Sequence, residues 1–232
     1  LGAVTATVPC GDEDRCRVEL GTSTLISGST LADPHRELGL FAPLVSSEAA
    51  RLVEAARLRY RLNDVLAIVA SAAEELEQLG IDEPRTPMLR ARRATSRISA
   101  GVVANLGRAL ELNALASLEH HATSATGDGV AGAAAAFEPT ARAGARLRLA
   151  EGIELLANVG RYARVPTLGE LYGTTALVRG NAELTAERGD GVDVGARAAI
   201  DLRGAELYAD VFACARFASS LIGFRRASFA SR

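Results

Sequence analysis

Lysine is absent from this sequence, and all 26 basic side chains are arginine, a bias that tracks codon usage more than any physical demand. Against 28 acidic residues they leave a net charge of -2, with no clustered basic face of the kind nucleic acid requires. No run of about 18 apolar residues free of charge occurs, so a membrane-spanning helix is excluded. A membrane-spanning barrel is not, because its strands are short and only alternate residues meet lipid. Also lacking are an initiating Met and any basic segment leading into an apolar run. The chain opens on Leu1 without a secretory signal of its own and reads as part of something longer. Metal chemistry lacks its ligands: no second cysteine pair or nearby histidine completes a four-ligand set with Cys10 and Cys16. These two flank Gly-Asp-Glu-Asp-Arg, a polar segment suited to a small disulfide loop in an oxidising compartment, with free thiols as the alternative. Cys214 is left over.

What the sequence does contain is alternation. From Ala109 to His121 one parity reads Glu111, Asn113, Leu115, Ser117, Glu119, His121, and the other Leu110, Leu112, Ala114, Ala116, Leu118, His120. A helix would mix these sets around its circumference, whereas a strand sends them to opposite faces. Between Ala145 and Tyr162 the pattern returns, with Arg146, Arg148, Glu154 and Asn158 against Leu147, Leu149, Ile153, Leu155, Ala157 and Val159. It returns again with Asp193, Arg197, Asp201 and Arg203 against Val192, Val194, Ala196, Ala198, Ile200 and Leu202, then with Glu206, Tyr208 and Asp210 against Leu207, Ala209 and Val211.

Tight polar turns join these segments at Asn63-Asp64, Gly107-Arg108, Glu151-Gly152 and Arg203-Gly204. Between them lie longer stretches rich in Gly, Pro, Thr and charge, which predicts short turns at one rim and long loops at the other. Gly11 to Arg15 and Thr123 to Pro139 are candidate extracellular loops. Runs of about ten or more residues suit a tilted membrane crossing better than a soluble sheet. The outward residues are mostly Ala, Val and Leu, with no charge expected in the middle of a run. Glu48 to Gly80 has helix-forming composition, yet Arg57, Arg59 and Arg61 alternate with Ala56, Leu58 and Tyr60, which favours a hairpin over two helices. The fold expected is all-β: an antiparallel up-and-down transmembrane barrel fragment of about ten strands. A soluble β-sandwich with a helical hairpin is the alternative.

From Leu155 the chain reads LLANVGRYARVPTLGELYGTTALVRGNAELTAERGDGVDVGARAAI. This resembles the TonB-dependent receptor barrel, in which a strand ending in aromatic-Arg-x-Pro leads into Glu-Leu-Tyr, then Gly-Asn, a Leu, a Pro-Glu pair and a new strand. The matching residues are Tyr162, Arg164, Pro166, Glu170, Leu171, Tyr172, Gly180, Asn181, Leu184 and Glu187. Ala186 stands where the family usually has Pro, Tyr162-Ala163 where Phe is common, and Cys214 where an aromatic is frequent. The resemblance covers Arg142 to Phe224. It implies a barrel of about 22 strands around a plug, of which these 232 residues would be part, with the N-terminal plug outside them. It implies an outer-membrane location and energised uptake of a scarce solute such as an iron-siderophore complex or cobalamin. The implied partners are that small-molecule ligand, the lipid bilayer, and a TonB-type energy-transducing protein acting through the plug. A passive pore is the lesser alternative.

No cofactor and no enzymatic activity are expected. Glu111, Glu119 and the lumen-facing Asp and Arg residues lack an accompanying nucleophile, phosphate loop or metal spacing, and read as the lining of a wet interior. Arg164, Pro166, Glu170 and Tyr172 read mainly as fixing loop geometry: Pro ends the ladder, Arg and Glu pair, and Tyr anchors near the membrane rim. Contact with ligand or plug is their second reading. His35, His120 and His121 suggest metal or haem, but adjacent strand residues face opposite ways, so at most one of His120 and His121 looks inward. A histidine at the membrane interface is the preferred reading.

Overall fold

The computed structural model describes residues 1–11, 15–32, 35, 44–83, 86–127, 130–173, 180–202 and 204–223. Among these residues ten antiparallel strands follow one another in a single sheet, each paired with its neighbours in sequence. They are β1 (Gly2–Pro9), β2 (Cys16–Ala32), β3 (Leu44–Arg61), β4 (Leu66–Glu83), β5 (Thr86–Leu106), β6 (Leu110–Gly127), β7 (Val130–Ala150), β8 (Ile153–Arg164), β9 (Glu187–Leu202) and β10 (Ala205–Ser219). One short helix, α1 (Leu168–Tyr172), interrupts the connection from β8 to β9.

The expected parity holds across the sheet. The register pairs Arg97 with Glu119, Glu119 with Glu138, Gly144 with Asn158 and Asn158 with Asp193, so the polar positions form one continuous face. Residues of β3 and β10 on this face, Arg59 and Arg216, line one cavity of 890 Å³ with Asn113, Arg142, Asn158 and Asp193. The sheet therefore curls around its polar side. The opposite face is apolar and uncovered: Ile98 is 59% exposed and Val159 57%, although both lie in the middle of the sheet. A soluble protein rarely leaves so wide an apolar band open. Among the described residues there is one layer and no second sheet, which removes the sandwich alternative.

Residues 48–80 form the hairpin β3–β4 despite their helical composition. Strand geometry lets Arg51 reach Glu75 at 2.6 Å on the polar face, while Leu58 and Tyr60 stay on the other. The Asn63 carboxamide closes the turn by accepting from the Val65 and Leu66 amides at 2.9 and 2.8 Å, which fixes the register locally. At the other tight turns Gly107 and Gly152 take φ of 70° and 75°, a region that favours glycine.

Three expectations are corrected. Thr123 to Pro139 is not a loop, because β6 runs to Gly127 and β7 starts at Val130. At that rim β4–β5 and β6–β7 likewise project as ladders joined across two positions, since small residues such as Ala133, Ala134 and Ala135 pair as readily as they loop. Gly11 to Arg15 lies at the tight-turn rim, where the Arg61 amide donates to the Arg15 carbonyl at 2.8 Å; its residues 12–14 are outside the described ones. Finally, the outward face does carry charge within strands: Glu54 and Glu74 are register partners there. Glu54 is the eleventh residue of the 18 in β3 and Glu74 the ninth of the 18 in β4, so this outward charge stands near the middle of both strands.

Candidate functional site: the strap between β8 and β9

The motif residues gather where β8 ends. The last ladder pair joins Arg164 to Glu187, and Pro166 follows, unable to donate to a further pair. Thr167 then caps α1: its hydroxyl accepts from the Glu170 amide at 3.2 Å, and the Glu170 carboxylate accepts from the Thr167 amide at 2.8 Å. This reciprocal capping box starts a helix too short to form alone.

Arg164 is the hub of an ion cluster. Its Nη1 donates to both Glu170 carboxylate oxygens at 3.1 Å, its Nε lies 3.6 Å from Glu187, and its Nη2 reaches the Ile222 carbonyl at 3.5 Å. Glu187 also accepts from the Tyr162 hydroxyl at 3.2 Å and from the Ile222 amide at 3.4 Å. Burial disfavours the Glu170 charge, but the Thr167 amide and the Arg164 guanidinium outweigh it and hold the carboxyl below the usual carboxylate range.

The helix turns inward. Leu168 and Leu171 are buried; Leu168 joins a cluster with Leu79, Ala91 and Ala125 from β4, β5 and β6, on which Tyr172 also packs. Tyr172 thus faces the polar interior and not the membrane rim, a correction that follows from the direction of α1. Arg93, 6% exposed, pins the segment: its Nη2 donates to the Pro166 carbonyl at 2.5 Å, its Nε to Thr123 at 3.2 Å, and its Nη1 lies 3.5 Å from Glu77. The return path is equally close. A Cβ on Gly180 would collide with the backbone of Leu171, Tyr172 and Gly173, so only glycine passes there. The Asn181 amide donates to the Glu170 carbonyl at 2.9 Å, and its side chain accepts from the Glu183 amide at 3.0 Å. Leu184 closes the turn on the Asn181 carbonyl at 3.3 Å.

Residues 165–173 and 180–186 thus form a strap across the inner face, from β8 to β4–β6. Sequence reasoning missed Arg93, Thr123 and the apolar seat. It also missed Thr167, although Thr-x-x-Glu before an apolar residue is a capping signature. The other candidates lie elsewhere. Cys10 and Cys16 are joined at the tight-turn rim, with Cα atoms 5.1 Å apart, and Cys214 is free. His120 faces outward, its ring 4.6 Å from that of Phe137, whereas His121 faces inward and His35 lies beyond β2. Glu111 is paired with Arg146 and Glu119 with Arg97. No group of three or more metal-binding side chains occurs among the described residues.

The comparisons with known proteins agree with this architecture. No curated protein matches the chain. Among solved structures, the copper transporter OprC superimposes with a TM-score of 0.69 at 14% identity, over 91% of this chain and 37% of that one. The ferric citrate transporter FecA gives 0.56 at 9% identity, over 84% and 32%. HasR of Serratia marcescens, solved with its hemophore HasA and heme, gives 0.52 at 12% identity, over 92% and 44%. The chain spans less than half the length of each, and identities this low speak to the fold alone. Residues 56–213 match the family described as TonB dependent receptor-like, beta-barrel. The chain belongs to that family of receptor barrels.

Proposed function

We propose that this chain forms part of the wall of an outer-membrane receptor that takes up a scarce solute, such as an iron-siderophore complex or cobalamin, by energised transport. The observation that carries this reading is the separation of faces in a single sheet of the receptor family. The apolar side lies against acyl chains, and the side carrying the strap lines a hydrated interior. A TonB-type protein would supply the energy through a plug domain lying outside these residues. The strap, anchored inside the wall, positions the mouth of that interior and is mainly structural. No catalytic step is assigned, because the inner carboxylates Glu111, Glu119 and Asp210 are each engaged with an arginine.

Deletion of the gene should abolish accumulation of a labelled ferric chelate or of labelled cobalamin in starved cells, and complementation should restore it. Collapse of the proton gradient should stop the restored uptake. Uptake that survives the uncoupler would leave a passive pore. Recovery of the protein in the soluble fraction, without heat-modifiable migration, would remove the barrel reading altogether.

A further inference from the structure

The apolar outer face is broken along one line. Thr22, Glu54, Glu74, Ser96 and His120 are successive register partners from β2 to β6, and all five point outward. The outward rows on either side are apolar. Leu52, Leu76, Ala94 and Ala122 lie above, from β3 to β6, and Leu20, Ala56, Ala72, Ile98 and Leu118 lie below. The result is a polar stripe four strand spacings long, about 19 Å, inside an otherwise apolar surface.

Depth makes this stripe costly. Glu54 lies seven residues from the Arg61 end of β3 and Glu74 eight from the Leu66 end of β4, which at about 3.3 Å per residue and a tilt of about 40° is roughly 20 Å above the tight-turn rim. The apolar band of such a wall is about 25 Å tall, so both carboxylates fall within it. Ionised side chains at such a depth pair with one another or with a partner. These two cannot serve each other, because like charges directly opposite in a ladder repel. Glu74 accepts from the Ser96 hydroxyl at 2.9 Å, and among the described residues no cation reaches either carboxylate. On this face Arg161 is committed to Asp190 at 3.0 Å, and Arg92 stands four residues along β5 from Ser96, about 13 Å away. A groove of 450 Å³ opens onto both carboxylates, floored by the small side chains of Ala56 and Ala72 and walled by Val4 and Leu20.

We propose that the outer face of β2–β6 is a contact surface for another membrane-embedded protein, one that presents an arginine or lysine to Glu54 and Glu74 and hydrogen-bonding side chains to Thr22, Ser96 and His120. Charge complementarity selects the occupant. Acyl chains offer the carboxylates nothing at this depth, and the small residues bordering the stripe let a partner backbone approach closely. A second copy fits poorly. Two like barrels in one membrane are related by an axis along its normal, so equal depths meet, and this row would set carboxylate against carboxylate with no arginine in it. The inference rests on the reading of the apolar face as membrane-facing, and on nothing about the cargo.

The test uses the full receptor in its native outer membrane, with a photo-crosslinking phenylalanine analogue in place of Thr24, one outward row above the stripe, or of Val194 on the plain apolar face of β9 as control. Position 24 should give an adduct with a protein other than the receptor, and position 194 only lipid adducts. Glu54→Gln/Glu74→Gln should cut the protein adduct about tenfold or more, as expected for losing a desolvated charge pair, whereas Glu54→Asp/Glu74→Asp should keep most of it. Heat-modifiable migration reports that each variant has folded. In phosphatidylcholine vesicles, where the partner is missing, Glu54→Leu/Glu74→Leu should unfold at a higher denaturant concentration than the native receptor. Lipid adducts alone at position 24, an adduct with a second copy, or a protein adduct undiminished in the glutamine variant each overturn the proposal. So does equal stability of the leucine variant in vesicles, which would place the carboxylates outside the apolar layer. Recovery of the receptor in the soluble fraction removes the membrane reading itself, an outcome separate from all of these, and energised uptake is decided by the uncoupler experiment.

Discussion

The two rims of the sheet are built by different means. At the tight-turn rim the devices that close each turn are local: Asn63 bonds amides two and three residues on, Gly152 takes a left-handed φ, and Cys10 is bridged to a cysteine six residues away. At the opposite rim the strap is held by contacts distant in sequence, of which Arg93 to Pro166 spans 73 residues. Local devices fix a hairpin before the rest of the sheet exists. The strap has nothing to dock on until β4, β5 and β6 are in place.

Substitutions should separate the two rims. Arg93→Ala is expected to have the largest effect, because it leaves the Pro166 carbonyl and Glu77 without a buried donor, at a cost of about 3 kcal/mol. Hydrogen exchange should then show amides 168–172 unprotected while those of β3 and β4 near Asn63 are unchanged. Loss of protection at both rims would mean that the strap and the turns are one cooperative unit. Leu168→Ala removes a buried side chain from the apolar seat and should cost about 2 kcal/mol, read by the same exchange experiment. Thr167→Ala removes the cap and should cost about 1 kcal/mol, seen as faster proteolysis within residues 165–173.

Acid supplies the smallest perturbation. Because the native-state pKa of Glu170 lies below its unfolded value, its contribution is complete above the ordinary glutamate range and is lost as pH falls through the native pKa. Proteolysis of the strap by an acid-active protease should therefore quicken only below that range, and Glu170→Gln should flatten the dependence. An unchanged pH profile in Glu170→Gln would show that another group governs the opening.

The difference between the rims also explains what could be read from the sequence. Period-two alternation is a local property, so the faces of β6, β8 and β9 and the hairpin at residues 48–80 were legible, even against the helical preference of Ala, Leu and Glu. The turn residues were legible for the same reason. How far β6 and β7 extend was not, because Thr123 to Gly127 and Val130 to Ala134 owe their strand state to pairing with each other and not to composition. In the strap, the pairing of Arg164 with Glu170 follows from a six-residue spacing near a chain turn. The inward direction of Tyr172 depends on Leu79, Ala91 and Ala125, which no nearby sequence feature links to it. Arg93 is one of 26 arginines, and only the fold distinguishes it.

The strap leaves the wall at β8, docks on it at β4, β5 and β6, and rejoins it at β9. Geometrically it is a chord, and a chord of set length determines the arc it subtends. Between those strands the radius of the cylinder is thus dictated by Arg93 and the apolar seat of α1, where elsewhere it is left to strand twist and stagger.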